Sequence, residues 1–595
     1  MKSKIEKPPK EKSEAKSKQE WRDRKLFKNV PFSKGAAFAA LLIFLAVLAV
    51  YSNSINSAFH MDDYGQIVEN GHISSLENLT RFFTGTRDAA GFREGNGYRP
   101  VTTLSFAVSY GISGLKPWGY HLINLLVHFL NSLLLFFMLN SFLLKRRSGA
   151  FYLSLLIAVL FAVHPVQTNA VTYVSGRAVL LATFFCFLSL LCFLRAGADD
   201  GRRRYNLALA AVSFFFALLS KEMAAGMLGV LALYWLLLDR PKQGRRFAPI
   251  TPYLPFIAVL AVFLVLKIVM QGAVTPVENY STADYLMSES KVLIMYARLL
   301  FLPFNQNFDY YLPETGSFDF GVGAAVVLLG MAVYLLYRSR KSNPLVTFFG
   351  FWFLACLAPE STLVPITDIA EEYRVYMASA GLLTAAALLA DGLVRQGTFR
   401  KALPVSAVLL MGLLTFNRNV AWKTDYSLWS DTVSKSPNSI RAHYSLGQAM
   451  MEEKKMYPEA AAEMEYSLRL DPSYPKRFFI YNNLGICYYD MGMTDRAVQM
   501  FKAAAEDSVS GSRALRNLGE IYFYGKKYSD AADVLERAVQ GDPEDVHSRL
   551  LLAKTFYLLG RGPDARTEAS QALNYAIDPK DRKEALSVLR LVGQS

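Results

Sequence analysis

Two adjacent carboxylates, Asp62 and Asp63, stand in the run Phe59-His60-Met61-Asp62-Asp63-Tyr64, shortly after the first apolar stretch of the chain. At a membrane surface, repulsion and partial burial raise the pKa of one such acid and make it a usable general base. The same pair also fits a helix cap with a solvated neighbour. Charged side chains recur in short polar breaks further along: Arg99 in Tyr98-Arg99-Pro100-Val101, Arg177 in Ser175-Gly176-Arg177, Lys221 and Glu222 after Ser220, and Arg374 after Glu371 and Glu372. His164 opens His164-Pro165-Val166-Gln167-Thr168-Asn169. Charged residues at membrane depth face a cavity or one another and mark a pathway or a site. The structural alternatives are a helix-junction ion pair for Lys221 and Glu222, an interfacial anchor for Arg374 and a helix-end cap for His164.

His121, Asn124, His128 and Asn131 lie on one helical stripe. Such a stripe lines a cavity or, as the commoner case, ties helices together by hydrogen bonds. The sequence has no Walker loop, Rossmann fingerprint, zinc-ligand spacing or serine-nucleophile elbow. A nucleotide is therefore not expected as a direct donor, and a membrane-borne one fits better. Cys186, Cys192, Cys356 and Cys487 show no paired framework and read as small hydrophobes.

These residues need elements to hold them, and composition says which. Of 595 residues, 52% are hydrophobic and 19% charged, against about 25% charged in soluble domains. Net charge is +14, but much of the excess lies in the tail 1–34, ahead of an apolar run. A cationic tail there sets membrane orientation, so nucleic acid is not an expected partner. The run from Gly35 to Val50 reads as an uncleaved anchor with a cytoplasmic N-terminus. Further apolar runs cover 119–142, 150–167, 171–194, 205–220, 222–238, 250–270, 320–337, 345–359, 375–393 and 402–416.

Basic clusters mark the cytoplasmic side: Lys145-Arg146-Arg147, Arg202-Arg203-Arg204, Arg245-Arg246, Arg338 to Lys341, and Arg395 with Arg400-Lys401. A full crossing by 286–303, which carries Lys291 and Arg298, would put Arg338 outside. That segment is read as re-entrant or interfacial, which leaves about eleven crossings and an outward C-terminus. The first outer loop is 57–118.

After Asn417 the sequence becomes amphipathic and repeats. Leu446-Gly447, Leu484-Gly485, Leu518-Gly519 and Leu552-Ala553 recur at 38, 34 and 34 residues, and Ala460, Ala497, Ala531 and Ala565 keep step. Small residues at a crossing let two helices approach, and Asp471-Pro472 and Asp542-Pro543 end units. This resembles about four tetratricopeptide repeats over 438–577. The organisation expected is a basic tail 1–34, a membrane domain 35–417, a linker 418–437 and a repeat domain 438–595.

The order of motifs is the specific signal. A carboxylate pair in the first outer loop is followed by YRPV, YHLINLLVH, FAVHPVQTNAVTYVSGR, SKE and PITDIAEEYRVYMASAGL, and then by repeats. This resembles the transmembrane and tetratricopeptide-repeat-containing proteins, which are similar to protein O-mannosyltransferases of the C-type glycosyltransferase superfamily. The resemblance implies an all-α fold: a polytopic bundle of the C-type glycosyltransferase kind, then an α-solenoid. It implies an integral-membrane enzyme that takes a sugar, mannose among the candidates, from a polyprenyl-phosphate carrier to a hydroxyl. The acceptor would be Ser or Thr of an exported protein held by the repeats. Asp62 matches the base position, with Asp63 as partner and second candidate. Arg99, His164, Arg177, Lys221, Glu222 and Arg374 match motif positions assigned to donor and lipid phosphate. Asn169 stands where relatives often carry Glu, and Val179 where animal members often carry Asp, so no metal ligand is assigned and a divalent cation is left open.

A lipid phosphate leaves as a stable anion, so one carboxylate suffices where a glycosidase needs two; displacement with inversion is expected. Compact loops favour a bacterial inner membrane with periplasmic repeats. The alternative from another class is a non-catalytic membrane-anchored repeat scaffold.

Overall fold

The computed structural model describes residues 34–84, 97–144, 149–197, 200–239, 249–271, 281–312, 319–361, 368–393, 399–506, 511–576 and 578–593. Residues 1–33 of the basic tail, Lys145 to Arg147, Arg245-Arg246 and Arg395 fall outside them, as do the side chains of Arg400 and Lys401. Among the described residues every regular element is helical. The chain forms two compact units, one ending at Leu428 and one beginning at Trp429.

In the first unit, each apolar run is a helix. Among the described residues six spans are long and apolar enough to cross a membrane: Lys34–Tyr51, Pro117–Leu143, Val174–Ala196, Phe320–Ser339, Glu372–Gly392 and Ala402–Ala421. Ala150–Ala162 and Pro165–Val171 make a pair bent by 50°. The bend falls at His164-Pro165, where proline removes a backbone donor and ends the helix. Glu222–Leu237, Leu254–Met270 and Pro344–Leu357 are apolar but shorter. Prolines begin Pro100–Ser113, Pro117–Leu143 and Pro344–Leu357, where a missing N–H costs nothing. Arg177–Ala196 packs on Arg203–Ser220, and Pro344–Leu357 on Val375–Leu393.

The segment read as re-entrant is the helix Thr282–Phe301, capped by Ser281. It packs on the helices Phe320–Ser339 and Val375–Leu393 and is also pinned to polar segments. Lys291 meets Asp319 at 2.6 Å, Tyr285 donates to the Glu360 carbonyl at 2.7 Å, and Tyr296 donates to the Glu371 carbonyl at 2.9 Å.

The polar stripe of Pro117–Leu143 ties helices together. Asn124 donates to the Val171 and Tyr173 carbonyls, Asn131 to the Leu180 carbonyl, and His128 shares a 2.7 Å bond with the Tyr376 hydroxyl. All four side chains of the stripe are buried.

The expected linker 418–437 is largely helical, through Phe399–Ala421 and Asp425–Lys435. Trp422 is fully buried in the first unit.

In the second unit, antiparallel hairpins pair Arg477–Asp490 with Thr494–Ala504, Gly511–Tyr524 with Tyr528–Gly541, and Val546–Leu558 with Gly562–Tyr575. The repeated glycines sit at the crossings, as the spacing implies. A side-chain carbon at Gly447 would lie 2.8 Å from Met464, one at Gly485 2.6 Å from Phe501, and one at Gly519 2.5 Å from Leu535. Ala460, Ala497, Ala531 and Ala565 are all fully buried. Asp471 and Asp542 follow the helix ends at Leu470 and Gly541.

Candidate active site

The two acids of the first outer loop have different surroundings. His60 to Tyr64 form a tight turn: the Asp63 amide donates to the His60 carbonyl at 2.9 Å and the Tyr64 amide to Met61 at 3.1 Å. Met61 has φ of 45°, a left-handed conformation that costs a branched or long side chain of order 1–3 kcal/mol. Asp63 holds the turn. Its carboxylate accepts from the His60 amide at 3.0 Å, the Ser175 amide at 2.8 Å and the Ser175 hydroxyl at 2.5 Å, and it is fully buried. Burial raises its pKa to about 6 against the lowering pull of those donors. Asp62, one residue earlier, is exposed, and its amide donates to the Tyr173 hydroxyl at 3.1 Å. One carboxylate is therefore built in and the other presented at the tip of the turn.

His60 anchors the other side. Its Nδ1 lies 2.6 Å from Asp425 and its Nε2 2.9 Å from the Trp422 carbonyl. Both partners are acceptors, so both ring nitrogens act as donors in the imidazolium form. Burial opposes that charge, but Asp425 and the carbonyl outweigh it and the pKa is raised. Tyr173 backs the turn, edge-on to Phe308 and tilted against Trp422 with ring centroids 5.7 and 5.8 Å away. Burial, then the Asp62 and Asp63 carboxylates, push its phenol well above the usual value.

Four of the six expected donor residues come together from three segments. Arg99 Nε lies 3.2 Å from Glu222 Oε2. Thr102, one turn on, donates to the Ser220 carbonyl at 2.9 Å and fixes the two segments in register. Lys221 lies 3.3 Å from Glu360 Oε1 and 4.0 Å above the Tyr373 ring. Arg374 Nε is 4.0 Å from Glu360 Oε2, and its fork grips the backbone carbonyls of Ile369, at 2.8 Å, and Asp368. Glu360 thus joins two cations, and Glu222 joins Arg99 to Lys267, which is 3.4 Å away.

Two expected residues are engaged elsewhere. The Arg177 guanidinium is fully buried; it donates to Asn124, to the Tyr120 carbonyl at 2.6 Å and to the Ser109 hydroxyl at 3.1 Å, and lies over Phe106. His164 accepts from the Val166 amide at 3.2 Å and reaches the Leu300 carbonyl at 3.0 Å, the capping arrangement. Arg177 binds the helices Pro100–Ser113 and Pro117–Leu143 to the start of its own, and His164 holds the bend to Thr282–Phe301.

The acid turn and the cation cluster share a neighbour, the loop 164–176. Ser175 in it bonds Asp63, while its short helix Thr168–Val171 packs on Glu372–Arg374. Gly176 lets the loop fold on itself, because a side chain there would strike the Ala170 carbonyl. Glu372 is tied down separately by the Asn307 amide at 2.8 Å and the Tyr310 hydroxyl at 2.5 Å.

Sequence reasoning passed over Glu360 and Lys267. Both carried a signal: a lone acid at the end of the run 345–359, and a lone cation inside the run 250–270. Among the described residues no three His, Cys, Asp or Glu side chains group as a metal site would require.

Tetratricopeptide-repeat models match residues 482–546 and 523–589. Over most of its length the chain is similar to proteins named protein O-mannosyl-transferase. One from Caenorhabditis elegans is 25% identical over 74% of this chain and 64% of its own length. Human TMTC3 is 24% identical over 78% and 54%, and mouse TMTC4 27% over 70% and 64%. The chain spans between about half and two thirds of the length of these relatives.

Proposed function

We propose that this chain is a membrane glycosyltransferase that moves a sugar from a polyprenyl-phosphate carrier to a hydroxyl acceptor, a Ser or Thr of an exported protein, on the non-cytoplasmic face. The observation that carries this reading is the difference between the neighbouring acids: Asp63 is buried and accepts three hydrogen bonds, whereas Asp62 is exposed on the same turn. The relatives' name, protein O-mannosyl-transferase, supports glycosyl transfer.

In this reading Asp62 takes the proton of the acceptor hydroxyl as its oxygen bonds to the anomeric carbon. The bond from that carbon to the phosphate oxygen breaks on the opposite face, and its electron pair leaves with the lipid phosphate. The products are a glycoside of inverted configuration, the lipid phosphate and protonated Asp62. General base catalysis is worth about 10²–10⁴-fold. The phosphate gains charge as it leaves, from one toward about two for a monoester near neutral pH. Arg99, Lys221 and Arg374, held in one cluster by Glu222 and Glu360, supply the positive charge that receives this anion. Arg177 and His164 act as positioning residues. A divalent cation is not required by this scheme.

The repeats are assigned to acceptor binding, the site to the outer leaflet of a bacterial inner membrane, the N-terminus to the cytoplasm and the repeats to the periplasm. The test is transfer of labelled sugar from a polyprenyl-phosphate donor by purified protein in nanodiscs, with the anomeric configuration read by NMR. A product of retained configuration refutes direct displacement.

A further inference from the structure

The helix Leu254–Gln271 shows its apolar side chains to the outside: Val262, Val265, Ile268 and Val269 are each more than half exposed. Its sequence holds one charged residue, Lys267. A lysine near the end of a membrane helix ordinarily runs its ammonium out to water along its own stem. Lys267 turns inward instead. Its side chain is 18% exposed and its ammonium lies 3.4 Å from Glu222, which Arg99 also holds at 3.2 Å. Arg99 is 26% exposed and Glu222 35%, whereas the Lys221, Glu360 and Arg374 side chains lie between 4% and 12%. The cation cluster therefore has an enclosed interior and a reachable edge, and the edge sits beside a helix whose outer surface is suited to hydrocarbon.

We infer that Lys267 is a donor-binding residue and marks the side from which the donor enters. The phosphate of the lipid-linked sugar bridges Lys267 and Arg99 in exchange for part of the contact those cations make with Glu222. The isoprenoid chain lies along the outward face of Leu254–Gln271. Charge complementarity selects the phosphate, and the apolar surface continuous with it selects the chain. The inference rests on the transferase reading and adds an entry side and a residue to it.

The test uses the full-length protein in nanodiscs of zwitterionic lipid, with Lys267→Ala and Lys267→Arg beside wild type. Two readouts are taken: the KM and kcat of transfer from a polyprenyl-phosphate sugar, and equilibrium binding of labelled polyprenyl phosphate that carries no sugar. Lys267→Ala should raise the donor KM and weaken lipid-phosphate binding about tenfold, the share of one charge-assisted hydrogen bond. Lys267→Arg should restore both. A merely structural lysine would lower the melting temperature and leave KM in place, and unchanged KM and binding in Lys267→Ala overturn the inference. If Lys267→Ala does not fold, Lys267→Gln takes its place in both readouts. Inorganic phosphate competing as well as polyprenyl phosphate would also overturn it, because the chain would then contribute nothing. Absence of transfer by wild type refutes the transferase reading instead, and the sugar-free binding readout still decides the role of Lys267.

Discussion

Ser175 gives both its amide and its hydroxyl to Asp63, at 2.8 and 2.5 Å. The acid turn and the loop 164–176 are therefore one construction, and Asp63 is its fastener. Asp63→Ala leaves buried donors unpaired, each at a cost of about 1–3 kcal/mol. It should lower the melting temperature and abolish transfer together. Ser175→Ala should do the same more weakly. A parallel loss of stability and activity, measured on the same preparations, separates a fastener from a base.

Glu360 and Glu222 each bridge two cations, but at different depths. Glu360 is 12% exposed and Glu222 35%. Removing one partner of a buried pair costs about 3–5 kcal/mol, and a pair that solvent reaches contributes less. Thermal melts should therefore show a much larger drop for Glu360→Gln than for Glu222→Gln. Equal drops would mean that Lys221 and Arg374 do not depend on Glu360.

His60 gives the turn a pH dependence. Its folded pKa is raised above 6.5 by Asp425 and the Trp422 carbonyl, against burial. The stability it contributes is fully present below the unfolded value and is lost as pH rises through the folded value. Wild type should exceed His60→Gln in melting temperature at acidic pH, and the gap should narrow on the alkaline side. A gap that widens with pH would contradict the imidazolium form.

Much of this was written in the residues. Apolar run lengths place the helices, and the 34-residue step places Gly485 and Gly519 at their crossings, because a period is a local property. The roles of individual polar residues were not local. Arg177 and Arg374 look alike in sequence, each a cation at the start of an apolar run. Only tertiary contact shows the first spent on Asn124, Tyr120 and Ser109 and the second set beside Glu360. The partition between Asp62 and Asp63 likewise needed Ser175, 112 residues away. The stretch 418–437 reads as a linker for want of apolar length, yet its Trp422 and Asp425 meet His60 across more than 360 residues.

Gly485 has Phe501 against it at 2.6 Å from where a side chain would begin. Gly485→Val should cost about 1–3 kcal/mol through overpacking. It should melt the second unit early in calorimetry. An unchanged transition would mean that the two helices do not meet at that glycine.

The central claim is that Asp62 is the base, and one substitution separates it from its neighbour. Asp62→Asn keeps the shape of an exposed side chain, so the melting temperature and binding of polyprenyl phosphate should match wild type. Sugar transfer should fall by about 10²–10⁴-fold. Transfer at the wild-type rate by a folded Asp62→Asn protein would contradict the account.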